Sequence, residues 1–272
     1  MNISHETPLC LLDESRKYND YDYALVHLFE THPDYYQFFV DSLAQGRTVL
    51  LDNSIFELGT AFDPVKYLEW INKLKPTEYI IPDVLESALG TMDNALDWRE
   101  NYWSRTPKNS KCIGVVQGKS YEDLVQCYDY LDNIIDVDKI AISFDYSYYL
   151  EVCPHPNKWM GWALGRIQTL TRMLNEGVIN KDKPHHLLGC GIPIEFLFYR
   201  DSKFDWIESV DTSNPVVHAL RGVGYEPGGL IRKESIKLAE MLDAPYPSVS
   251  SLHTLHHNVK YFRSYVNGYG RQ

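Results

Sequence analysis

The amino-acid sequence predicts an α/β fold, a (β/α)8 TIM barrel, from three observations. Short apolar, β-branched runs alternate with longer amphipathic stretches along the whole chain, the pattern of βα units on a parallel sheet. The runs are apolar on both faces, as strands are when a sheet is covered inside and outside. Seven or eight such units fit into the 272 residues, of which 44% are hydrophobic, and that count favours a closed barrel over an open doubly wound sheet. No repeat, low-complexity run or Ser/Gly-rich linker interrupts the pattern, so residues 1 to 272 are expected to form a single domain.

Seven strands are expected, at residues 23 to 29, 48 to 54, 78 to 84, 112 to 118, 139 to 145, 185 to 191 and 205 to 213. The eighth is the weak point, and LRGVGYEPGGLI at 220 to 231 is its candidate as a short or irregular element. Helices are expected between the strands, at 33 to 45, 63 to 75, 121 to 134 and 162 to 177, several opening on the Asp, Ser or Pro that helix starts prefer. At the end of the chain, Leu252, Leu255, Val259, Phe262 and Val266 recur at helical spacing. They predict a C-terminal amphipathic helix over about 252 to 266, either a closing helix with a solvated basic face or a phosphate-contacting one.

Composition excludes some function classes. No apolar run is long enough for a membrane span and MNISHETPLC has no export signal, so a cytoplasmic protein without a membrane partner is expected. Five scattered cysteines without CxxC or CxC spacing argue against a zinc site and a disulfide scaffold, so no metal is expected. A net charge of -11 disfavours nucleic acid unless basic charge is local. It is local in one place: after Asp243 there is no acidic residue, while Lys260, Arg263, Arg271, His253, His256 and His257 follow. Lys260, Arg263 and His256 are the candidate nucleic-acid contacts.

Barrels of this kind carry their sites at the C-terminal ends of the strands. The polar exits are Asp52, Asn53 and Ser54; Asp83; Gln117 and Gly118; Ser143 and Asp145; Gly189, Cys190 and Gly191; and Asp211, Thr212 and Ser213. A lone Asp after a strand is often a helix cap, and Asp83 ahead of VLESALG fits that role too. Carboxylates from several strands meeting at one mouth point instead to a site whose acid and base roles are separated by environment. Past one exit, Phe144, Tyr146, Tyr148 and Tyr149 could stack on a planar base or simply pack the loop. His185 and His186 begin a strand far from the mouth and read as surface histidines.

The ordered exits resemble those of the tRNA-guanine transglycosylase superfamily over about residues 48 to 220. LDNSIFELG (51 to 59) is similar to its early Asp-Ser-Gly-Gly-Phe-Gln motif, with Ile55 in place of a glycine and Glu57 in place of the glutamine. GVVQG (114 to 118) contains its VQG motif intact; AISFD, LLGCGIP and IESVDTSNP follow in the family's order. The resemblance implies an enzyme, a pentosyltransferase that exchanges guanine for a 7-deazaguanine through a covalent aspartyl-glycosyl intermediate. It implies Asp211 as nucleophile and Asp52 as acid and base, with Asp83, Gln117, Gly118, Ser143, Phe144, Ser54, Phe56, Gly189 and Gly191 around the base, and no cofactor.

Two departures bear on the polymer. The CxCxxC and His zinc site of the tRNA-acting members is absent, since no cysteine follows Cys190, and Thr212-Ser213-Asn214-Pro215 replaces a Pro-Thr-Arg segment. The chain in this respect looks more like the compact phage and bacterial enzymes that place 7-deazaguanines such as preQ0 derivatives in DNA. DNA is therefore the expected partner, with tRNA the alternative. A nucleoside or glycoside hydrolase, and a non-catalytic base-binding subunit, are the other readings, and whether two copies pair as a homodimer stays open.

Overall fold

A computed structural model describes residues 1–226 and 238–268. Eight parallel strands form one sheet: β1 (Asn2–Ser4), β2 (Asp22–Leu25), β3 (Val49–Asp52), β4 (Glu78–Ile80), β5 (Lys111–Val116), β6 (Lys139–Ser143), β7 (His185–Leu188) and β8 (Ile207–Asp211). Their spatial order is β1-β8-β7-β6-β5-β4-β3-β2. Helices between them sheathe the sheet, and the result is a nearly closed (β/α)8 barrel with a main buried apolar cluster and a second, smaller one.

Seven strands fall where the apolar runs predict them. Each stops short of the expected C-terminal boundary: Asp52, Ser143 and Asp211 end β3, β6 and β8, and the other polar exit residues belong to the loops. The eighth differs. It is β1, at the start of the chain, and its ladder to β8 pairs Ser4 with Asp211. Residues 220 to 226 finish the Asn214–Leu220 helix and run on without strand structure, while 227 to 231 of the expected segment lie outside the described residues. A three-residue NIS strand is too short and too polar to stand out by periodicity.

The seam between β1 and β2 is closed by side chains. Asp20 donates its backbone N–H to Ile3 O at 2.9 Å and accepts from Ile3 N on Oδ2 at 2.8 Å. Asn19 does the same for His5, accepting from its N–H at 2.8 Å and donating to its carbonyl at 3.0 Å. The Asn19 and Asp20 side chains, with the Asp20 backbone N–H, thus supply the bonds that a neighbouring strand would supply.

The expected helices form as Pro33–Ala44, Pro64–Leu74, Tyr121–Asp129 and Lys158–Asn175. The C-terminal helix, Val249–Asn267, is capped by Ser248, whose hydroxyl accepts from Ser251 N. It seats Leu255 and Val259 against Leu11, Val216 and Ala219. Asn258, fully buried, binds the Tyr225 N–H and the Pro215 and Val223 carbonyls. Part of its basic face is engaged by the N-terminal segment. Arg263 donates to Tyr18 O at 2.8 Å and to Asp20 at 2.9 Å, and His256 lies 2.7 Å from Glu14. Of these expected nucleic-acid contacts Arg263 forms an ion pair with Asp20 and His256 is hydrogen-bonded to Glu14; Lys260 is exposed and has no such partner among the described residues.

Candidate active site

At the strand exits the described residues enclose a cavity of about 330 Å³. Asp52, Phe56, Asp83, Gln117, Ser143, Phe144, Gly189 and Asp211 line it. Ser54, Gly118 and Gly191 do not reach it and support its wall. Ser54 sits in the left-handed region at φ 61°, which turns its N–H back onto Asp52. Gly118 lies where a Cβ would stand 2.6 Å from Asp123, and the Gly191 carbonyl accepts from Asn214.

Asp52 closes β3. The Tyr23 hydroxyl, from β2, donates to its Oδ2, and the Ser54 N–H donates to its Oδ1. Burial pushes its pKa up from 3.8 to about 8, with Glu57 adding to the rise and the two donors opposing it. The carboxyl therefore holds a proton at neutral pH.

Asp83 sits between two side-chain amides. Asn53 donates to Oδ1 at 2.8 Å and Gln117 to Oδ2 at 2.7 Å, while Gln117 Oε1 accepts from Glu86 N at 2.8 Å. This brace ties the exits of β3, β4 and β5 together. Burial raises the Asp83 pKa to about 6 against the two amide bonds, so it is mostly ionised at pH 7. Helix capping is not its role: Ser87 caps the Ala88–Asn101 helix.

Asp211 ends β8. Its Oδ1 accepts from His186 Nε2 at 3.0 Å and from Gly189 N at 3.3 Å. Oδ2 has no donor among the described residues. Gly189 can point its N–H there because its backbone is left-handed, φ 68°. The fully buried Arg166 holds the same loop from behind, donating to the Leu188 and Gly189 carbonyls while paired with Glu195 at 2.6 Å. Asp211 does not cap the next helix; Thr212 Oγ1 accepts from Asn214 N instead.

Around the carboxylates the wall is aromatic. Phe144 packs on Phe56 and Trp162, with ring centroids 6.5 and 5.9 Å apart. Lys158 lies over Trp159 and Trp162, at 4.8 and 5.3 Å. Tyr146 and Tyr149 do not form a lid. Both are buried: Tyr146 donates to the Val116 carbonyl and accepts from Ser143 N, and Tyr149 donates to the Ser143 carbonyl, so both brace the β6 exit. The described lining also includes Glu6, Glu57 and Asp145, which leaves Lys158 as the one Lys or Arg among six carboxyl groups.

Several of these residues were beyond sequence reasoning. Lys158 and Trp159 stand on the first turn of a helix, ahead of its expected start at Trp162. His185 and His186 are wholly buried, contrary to a surface reading. His185 bonds the Tyr128 hydroxyl at 2.8 Å, and His186 faces Asp211. The usable signal was the alternation itself: a polar residue inside a strand covered on both faces must have a buried partner.

Fold and cavity together define the class of molecule: a (β/α)8 barrel with a deep, aromatic-walled cavity and three buried aspartates at its strand exits. No family model matches the chain, and no curated protein matches it. Among the described residues, no group of three or more His, Cys, Asp or Glu is placed to hold a metal ion.

Proposed function

We propose that the chain is a base-exchange glycosyltransferase that replaces guanine in DNA with a 7-deazaguanine. The observation that carries this reading is the unlike setting of two aspartates on one cavity. Asp52 is desolvated and protonated at neutral pH, whereas Asp211 receives two N–H donors on one oxygen and leaves the other free. Two carboxyl groups set apart in this way can divide acid and nucleophile roles.

In this chemistry Asp211 Oδ2 bonds the anomeric C1′ as the C1′–N9 bond breaks, and the electron pair leaves with guanine. Asp52 gives its proton to the departing base and becomes the carboxylate that next takes the N9 proton of the incoming 7-deazaguanine. That N9 attacks C1′ and Asp211 is released. Asp83 accepts from purine N–H and exocyclic amine groups, with Gln117 beside it. Phe144 and Phe56 offer faces on which a purine stacks. A target in duplex DNA has to be flipped out to reach such a cavity.

DNA is taken as the polymer because Thr212-Ser213-Asn214-Pro215 stands where the tRNA-acting enzymes carry a Pro-Thr-Arg segment, and a mainly acidic lining disfavours phosphate inside the cavity. The test is incubation with labelled guanine or a 7-deazaguanine and, in parallel, DNA and tRNA. Label entering DNA, and lost in Asp211→Asn, is the expected result. Label entering only tRNA would change the polymer; guanine release without incorporation would make the chain a hydrolase; neither event would end the glycosyl-transfer reading.

A further inference from the structure

His186 has no part in the chemistry above, yet its ring lies directly against Asp211. β7 and β8 pair with His186 opposite Ser209. The imidazole bridges the two side chains, Nδ1 to Ser209 Oγ at 2.9 Å and Nε2 to Asp211 Oδ1 at 3.0 Å. An ionised carboxylate only accepts, so this contact needs the ring proton on Nε2, and Nδ1 then accepts from the Ser209 hydroxyl. Rings wedge it in place: Tyr23 stacks at 6.2 Å and 22°, and Tyr21 meets it edge-on at 6.4 Å.

We infer that His186 is the positioning residue of Asp211 in the glycosyl transfer proposed above, a reading on which this inference rests. By holding Oδ1 it presents Oδ2 to C1′. Once the C1′–Oδ2 bond has formed, Oδ1 is an ester carbonyl and keeps both of its N–H donors. When N9 of the incoming base bonds C1′, the C1′–Oδ2 pair returns to the carboxylate. The charge recovered on Oδ1 meets donors already aimed at it, which stabilise it without reorganisation. The influence of His186 is therefore greatest on the second step, breakdown of the covalent intermediate. Ser209 acts one bond further out, by fixing which ring nitrogen carries the proton.

Three variants test this, with the nucleic acid that the wild-type protein uses. His186→Phe keeps a ring in the space and removes the donor; His186→Gln keeps an N–H; Ser209→Ala removes the hydroxyl that sets the tautomer. His186→Phe is expected to lower kcat about 100-fold, the scale of one lost oxyanion donor, and to lower the KM for nucleic acid with it, so that kcat/KM for nucleic acid is kept while the KM for the base changes little. More covalent protein–nucleic acid adduct should then stand on a denaturing gel at steady state. His186→Gln should recover about tenfold of the loss, and Ser209→Ala should lose about three- to tenfold in kcat.

Wild-type kcat in His186→Phe, or an equal loss in His186→Gln with no rise in adduct, would overturn the positioning role. Should His186→Phe fail to fold, Ser209→Ala decides, and wild-type kcat with wild-type adduct there overturns the inference. A failure confined to these variants leaves the exchange reading standing. Inactive wild-type protein would overturn both.

Discussion

Replacing Asp52 by asparagine is expected to stabilise the protein while it removes acid and base chemistry from the cavity. The carboxyl is buried, and its pKa rises from 3.8 to about 8 chiefly because burial disfavours its charge. An acid whose folded pKa is raised contributes stability that is complete below its unfolded value and is lost as pH climbs through the folded value. For Asp52 the loss runs from about pH 4 to about pH 8. At about 1.4 kcal/mol per pH unit, wild-type protein should lose about 4 kcal/mol relative to Asp52→Asn between pH 5 and pH 8. Asparagine keeps one acceptor for the Ser54 N–H, and the Tyr23 hydroxyl can turn to accept from its amide, so the substitution strands neither group. Urea unfolding of both proteins at several pH values measures the difference directly, and the Asp83 titration, common to both, largely cancels. A gap that stays constant from pH 5 to pH 8, or that closes as pH rises, would refute the claim that burial governs this carboxyl.

Gly189→Ala should cost about 1 to 3 kcal/mol and distort the cavity, since the new Cβ would stand 2.4 Å from Phe144 Cδ1 on a left-handed backbone; thermal melting and ligand affinity check it. Asn19→Ala strips the buried His5 backbone of both partners and should cost about 2 to 3 kcal/mol, with faster amide exchange in β1 and β8 as its signature. Glu195→Ala leaves the Arg166 guanidinium buried and unpaired, so a loss of about 3 to 5 kcal/mol is expected in chemical denaturation, whereas a joint Arg166→Met, Glu195→Leu change should cost much less.

The barrel was legible in the sequence because strands such as VLLD and CIGVV are apolar on both faces, and VLLD and IESVD end on a carboxylate. β1 was not, since three residues carry no period and its partner residues lie some two hundred positions away. The exits of β3, β4, β5 and β8 announced Asp52, Asp83, Gln117 and Asp211, because position on a parallel strand fixes which end a side chain occupies. What each aspartate bonds to could not be read. The Tyr23 and His186 partners come from neighbouring strands, and only register decides whether their side chains share a level. For the same reason the basic tail looked open: the carboxylates that meet Arg263 and His256, Asp20 and Glu14, stand more than two hundred residues earlier.

The seam beside Asp211 also has a kinetic meaning. β1 pairs Ser4 with Asp211, and the Thr212 N–H donates to the Ser4 carbonyl at 2.9 Å, so the strand that bears Asp211 gains its second neighbour only when the two ends of the chain meet. Closing so long a loop is slow relative to local βα pairing. The cavity should thus be the last part of the barrel to be completed during folding. It should also be the first to be lost in a local opening, with seven strands still paired around a disabled site.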